Sequence, residues 1–349
     1  SISSVWYATG DWLAANEDVA LAINIASLMS ARWAQESKEA WIDYAVENVG
    51  ADRLTPEAAA MDYDRLVGEL DMWPVNGSLD RELMDTTLQT SFDFEAIPQR
   101  YEVDDLVTFK YQNAALGILG TAERTYFGPS PVSQEEAIAD LKAKLEGQTV
   151  RIGTSAYPNA SITGAFKTAD ILREEFGVNV DFSVQDSDPL VAATIAGEVD
   201  VGQLSLSGVA SAVAVGADFV AFGGDDQANS FLVAAKAPIT SMEELRGTTV
   251  AVTQSLNQIT GQTMQKCLAT VGMTIDDVSL LRMAHTGEAT QAIASGQVTG
   301  GISATFRLTQ LLLNEGPGSY NILCSGWESN PSISSVWYAT GDWLAANED

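Results

Sequence analysis

The sequence predicts an α/β protein of two lobes, each built on a mainly parallel sheet. Two internal matches and the chain length point to it. GQTVRIGT at 147–154 lines up with GTTVAVTQ at 247–254. Further on, AATIAGEVDVGQLS at 192–205 resembles TQAIASGQVTGGIS at 290–303. The first pair reads as a short apolar strand after a polar helix. The second reads as helix, tight Gly turn and strand. A chain of 349 residues is also long for a single core.

The elements follow in order. In the first lobe, strands are predicted at 150–153, 178–184, 199–204 and 219–223, with helices at 165–176, 188–196 and 209–215. In the second, strands are predicted at 249–252, 279–283, 300–302 and 320–324. The stretch 19–120 is richly helical. Leu21, Ile25, Leu28, Met29, Trp33, Trp41 and Ile42 recur at helical spacing across 19–47. Thr55, Pro56 and Glu57 form a helix start, with a Thr cap and Pro at the first position. Two more helices are predicted at 79–93 and 104–120. The Gly- and Pro-containing stretch 121–132 reads as a linker.

SISSVWYATGDWLAANED occupies 1–18 and again 332–349. Natural repeats drift and come in several units of roughly 20–50 residues. A perfect copy at the two ends predicts instead a circularly permuted order with an overlap, most simply an engineered one. In that reading 332–349 runs on into Val19, and 121–132 joins two older termini. The domains are then 1–18 (duplicate of 332–349), 19–120 (helical), 121–132 (linker), 133–237 (first lobe), 238–331 (second lobe) and 332–349. Two identical segments compete for one place, so a switch, a spare copy or a domain-swapped self-association is expected.

Composition narrows the function. Asp plus Glu number 47 against 18 Lys plus Arg, a formal net charge of −29. Such a surface repels phosphate backbones and argues against nucleic acid. The excess is spread along the chain, which suits export into salty water; simple solubility is the plainer reading. No run of about 18 uncharged apolar residues predicts a membrane span. One histidine, His285, makes a histidine-based metal site improbable. Cys267 and Cys324 could pair in an oxidising compartment or remain buried thiols. No nucleophile elbow, P-loop or dinucleotide fingerprint is present, so neither a catalytic residue nor a cofactor is expected.

Ligands of open α/β sheets bind beyond the carboxyl ends of the strands. Here those ends carry small hydrogen-bonding residues: Ser155, Tyr157 and Asn159, Ser205 and Ser207, then Thr253, Gln254, Ser255 and Asn257, then Thr305. Helix starts lined with hydroxyls form an anion site without lysine. Any one of them reads first as a plain N-cap; four aimed at one cleft do not. Asp225 and Asp226, with Gln227 and Asn229, either hold an amine or form a solvated turn. Glu288, beside His285, is a second amine candidate. Arg307 could pair an acid group, though a surface helix charge is the plainer reading. Tyr157 and Trp327 either stack on a ligand or close a hinge.

VRIG at 150–153, AGEVDVG at 196–202, ITSMEELRGTTVAV at 239–252 and GMTIDDV at 272–278 resemble the periplasmic substrate-binding proteins of ABC importers. The similarity is to the taurine, alkanesulfonate, nitrate and thiamine-precursor group. DWLAANEDV at 11–19 and VDDLVTF at 103–109 resemble that group's late segments. The resemblance covers nearly the whole chain once it is read in the permuted order. It implies a type II periplasmic-binding-protein fold with a hinge, a small-molecule ligand held between the lobes, closure on binding, importer subunits as partners and a periplasmic location. It also implies pocket roles for Ser155, Tyr157, Asn159, Ser205, Ser207, Thr253, Gln254, Ser255 and Thr305. Where the group often has Trp-Glu-Pro, this chain has Ala304, Thr305, Phe306 and Arg307. The expected ligand is a sulfonate-like anion or zwitterion. An enzyme related to pyrimidine-precursor synthases and a ligand-sensing domain are the rivals.

Overall fold

Two five-stranded sheets, each with helices packed on it, form the frame of the molecule. The computed structural model describes residues 4–122, 132–154, 160–226, 230–254, 256, 259–316, 318–326 and 329. The chain opens with β1 (Ser4–Thr9), followed by α1 (Gly10–Ala15), α2 (Glu17–Trp33), α3 (Lys38–Val49), α4 (Pro56–Tyr63), α5 (Arg81–Asp93), α6 (Val103–Leu106) and α7 (Lys110–Leu119). After α8 (Val132–Leu145) come β2 (Thr149–Thr154), α9 (Thr163–Phe176), β3 (Asn179–Val184), α10 (Ser187–Ile195), β4 (Val201–Leu204), α11 (Leu206–Ala214) and β5 (Phe219–Asp226). The second sheet takes β6 (Phe231–Lys236), β7 (Thr249–Thr253), α12 (Ile259–Ala269), β8 (Ser279–Met283), α13 (Thr286–Ala294), β9 (Gly300–Ala304), α14 (Thr305–Glu315) and β10 (Tyr320–Ser325).

The sheets share a plan. The first runs β3-β2-β4-β1-β5, and the second, read from its far edge, runs β8-β7-β9-β6-β10. In each, the fourth strand is antiparallel to both neighbours. The sequence reading gave neither β1 nor β6 a strand, because no partner for them is visible locally. Strand β1 is buried along its middle. Val5, Trp6, Tyr7 and Ala8 are fully buried. The period of two sends Trp6 and Ala8 to the core under α2, and Val5 and Tyr7 to the core under α5 and α11. Gly202 on β4 lies against the Tyr7 ring; a Cβ there would come within 2.3 Å of it.

Two predicted helices are interrupted. The run 19–47 breaks after Trp33, and Ser37 starts α3 by accepting the Ala40 N–H at 3.2 Å. The run 104–120 breaks at Val107 and Thr108, where the Thr108 N–H reaches the Ala221 carbonyl of β5 at 2.8 Å. An exposed strand edge outcompetes the helix for that donor. Helix α4 starts as predicted, with Thr55 accepting the Ala58 N–H and Pro56 at the first position. Cys267 and Cys324 form a disulfide, Cα–Cα 5.8 Å, pinning α12 to edge strand β10. Among the described residues no helix is long and apolar enough to cross a membrane.

Candidate functional site

The carboxyl ends of β2, β4 and β5 and the start of antiparallel β1 meet at one edge of the first sheet. This edge is polar yet closed to water: Thr154, Gln203, Ser205, Ser207, Asp225 and Asp226 are all buried. Gln203 is its centre. Its amide nitrogen donates to Asp225 Oδ2 and to Ser4 Oγ, the latter at 3.2 Å. Its carbonyl oxygen accepts from the Thr154 hydroxyl. Ser4 also donates to Asp225 at 3.4 Å. Next to it, Ser205 caps α11 by accepting the Gly208 N–H at 3.1 Å, and lies 3.2 Å from the Ser207 hydroxyl.

Burial pushes the Asp225 carboxyl well above the ordinary range, and the neighbouring Asp226 adds to this. Two adjacent carboxyls with little water do not both ionise readily. A cation beside them would allow it. The pair therefore suits an ammonium better than any anion.

The matching edge of the second sheet is built from hydroxyls. Thr253 ends β7 and lies 2.6 Å from Thr260 in the first turn of α12. Ser303 on β9 lies 2.8 Å from Thr290 on α13. Thr305 opens α14, and its hydroxyl donates to the Ser230 carbonyl at 2.9 Å. Ser230 immediately precedes β6, so the bond ties the start of α14 to the start of that strand.

The remaining candidates divide in two. Gln254 is exposed, and its carbonyl accepts from Arg282 at 2.6 Å. Glu288 is exposed and accepts the Ala284 N–H at 2.9 Å, while His285 accepts the Glu288 N–H at 3.4 Å. Both therefore serve the start of α13. Arg307 stacks its guanidinium 5.2 Å from the Phe306 ring and lies against Gly287, so it stands near the same helix start. Ser155, Tyr157, Asn159, Ser255, Asn257 and Trp327, with Gln227 and Asn229, lie outside the described residues.

Elements of the two halves touch at two places. One buried cluster holds Ala160, beside the first edge, together with Trp73 and with Ala304 and Phe306 of the second. On another side Ser91 of α5 donates to Gln262 of α12 at 3.4 Å. Sequence reasoning missed Gln203, Thr154 and Ser4. Gln203 had a signal: a lone amide inside an otherwise apolar strand needs partners.

A family model described as "ABC transporter, phosphonate, periplasmic substrate-binding protein" matches residues 154–347, more than half of the chain. No curated protein matches. Among solved structures, the alkanesulfonate-binding protein SsuA from Xanthomonas axonopodis pv. citri, bound to MOPS, is 18% identical with a TM-score of 0.38, covering 52% of this chain and 62% of that one. The periplasmic aliphatic sulphonate binding protein SsuA from Escherichia coli is 16% identical with a TM-score of 0.39, covering 52% and 58%. A binding protein component of an ABC phosphonate transporter from Pseudomonas aeruginosa is 16% identical with a TM-score of 0.36, covering 51% and 65%. The chain thus spans about three fifths of the length of these relatives.

Proposed function

Because this chain belongs to the periplasmic substrate-binding family of phosphonate ABC transporters, we propose that it holds a small zwitterion between its two sheet edges and delivers it to an importer's membrane subunits. Proteins of this family bind solutes and are not enzymes. The observation that carries the reading is the buried network around Gln203. It holds Asp225 at one edge, with Asp226 next to it in sequence and the Ser205 and Ser207 hydroxyls nearby, while the second edge carries hydroxyls of its own.

In this reading Ser205, Ser207, Thr253 and Thr305, with the N–H groups opening α11 and α12, take an acid group such as a phosphonate or sulfonate. Asp225 and Asp226 take an ammonium. Ser155, Tyr157, Asn159, Ser255, Asn257 and Trp327 keep the pocket roles expected from the sequence. A thermal-shift panel of aminoalkylphosphonates, aminoalkylsulfonates and their amine-free analogues tests this. The zwitterions should raise the melting temperature most. A flat panel, or equal shifts from the amine-free compounds, would sink the assignment.

The permuted order is part of the same proposal. In the second sheet the antiparallel fourth strand β6 follows directly from β5. By the shared plan, the fourth strand of the first sheet should follow β10, and the segment after β10 carries the second copy of SVWYAT at 335–340. The described copy, β1, fills that place from the other end of the chain. Exchange of the copies between chains would give a domain-swapped dimer, which light scattering across a concentration series would detect.

A further inference from the structure

Asp62 lies on α4, which packs against both α3 and α14. It has no exposed surface, and among the described residues neither carboxyl oxygen has a hydrogen-bond partner. An ionised carboxylate with no donor in such a place costs several kcal/mol. A neutral acid has one O–H to give. The side chain that meets it is Thr309 of α14. Thr309 has already spent its own proton, since its hydroxyl donates to the Thr305 carbonyl at 3.1 Å. Only lone pairs of Thr309 remain for Asp62, and a protonated carboxyl is their complement. Thr305, the far end of this relay, opens α14 at the second sheet's edge.

The charged groups nearby are committed elsewhere. Lys38 of α3 pairs with Asp64 at 2.5 Å, and Arg65 pairs with Glu69 at 2.5 Å. On α14, Glu315 pairs with Lys236 at 2.9 Å and Arg307 stacks on Phe306. Glu57 on α4 itself and Glu39, Asp43 and Glu47 on α3 are the remaining acids; no cation bonds to Asp62.

We propose that Asp62 is a positioning residue: it carries a proton while α14 is packed on α4, donates it to Thr309, and so fixes the first turn of α14 where Thr305 stands. Burial, the larger influence, raises its carboxyl to about 7 against a smaller lowering from the Thr309 hydroxyl. The folded state then holds one proton more than the unfolded chain between about pH 4 and 7. The stabilisation is full below the unfolded value and is lost as pH rises through the folded one.

The link to ligand binding rests on the role given to Thr305, but the proton does not. The test is the melting temperature of wild type and Asp62→Asn from pH 4 to 8. The amide keeps a donor and cannot ionise. The wild type should lose stability relative to Asp62→Asn as pH rises, by up to about tenfold in folding constant per pH unit until near 7. Amide exchange in the first turn of α14 should accelerate across that range in the wild type only. Parallel profiles for the two proteins would overturn the proposal. Should Asp62→Asn fail to fold, the side-chain carboxyl ¹³C resonance of Asp62 in the wild type decides: a midpoint near 7 supports it, and one in the ordinary Asp range refutes it. A flat ligand panel would leave this result untouched.

Discussion

The two sheets have one topology and opposite chemistry. The first sheet's edge is a closed knot of amide, hydroxyl and two carboxyls, with Gln203 bonded to Thr154, Ser4 and Asp225. The second sheet's edge has hydroxyls from Thr253, Ser303 and Thr305 and no buried acid among its described residues. Both edges keep the helix starts that the shared strand–helix plan supplies. In the proposed reading a shared frame supplies two similar rims for an anion, and two carboxyls on β5 would turn one of them toward a cation. Asymmetry of ligand recognition needs few substitutions when the frame is symmetric.

The sheets differ also in how their fourth strand arrives. Strand β6 is threaded internally, whereas β1 comes from the chain's beginning, with an identical segment at its end. The sharpest way to break the comparison is Trp6→Ala. Loss of this fully buried indole, which donates to Ser27 at 2.9 Å, should cost about 3–5 kcal/mol. If 332–349 serves the same slot, that loss should shrink while Trp337 is intact and return in full when Trp337→Ala is added. Denaturant midpoints of the two variants decide it.

Next in size is the disulfide, which staples the second sheet alone. Replacing Cys267 and Cys324 by Ser opens a link between residues 57 apart and should cost roughly 2–4 kcal/mol. Proteolysis should then begin in α12 or β10 before it touches the first sheet; simultaneous cleavage of both would show one cooperative unit. Smaller still is Asp226→Asn. It should weaken zwitterionic ligands by roughly tenfold or more, about 1.4 kcal/mol per tenfold, and leave amine-free analogues unchanged in titration calorimetry. Equal losses for both classes would remove the distinction between the edges. Smaller again is Ser205→Ala, a lost helix cap at about 1 kcal/mol by melting temperature; smallest is the matching Thr305→Val, since Ala304 rather than Thr305 caps α14.

The repeats at 147–154 and 247–254 and the apolar runs between Gly turns determined, by themselves, that the chain has strands and helices in α/β order. They did so because period and turn chemistry are local. The same locality let Thr55 and Pro56 announce their helix start. The family match over 154–347 begins within that repeated part. Tertiary structure alone decided the rest. Strand β1 is legible as an apolar run, but its place between β4 and β5 depends on partners 195 to 222 residues away. The break at Val107 depends on a competing partner, the edge of β5. The pairing of Gln203 with Asp225, and the isolation of Asp62 beside Thr309, are facts about burial. Whether a carboxyl is charged is set by what surrounds it in space, and no spacing along the chain records that.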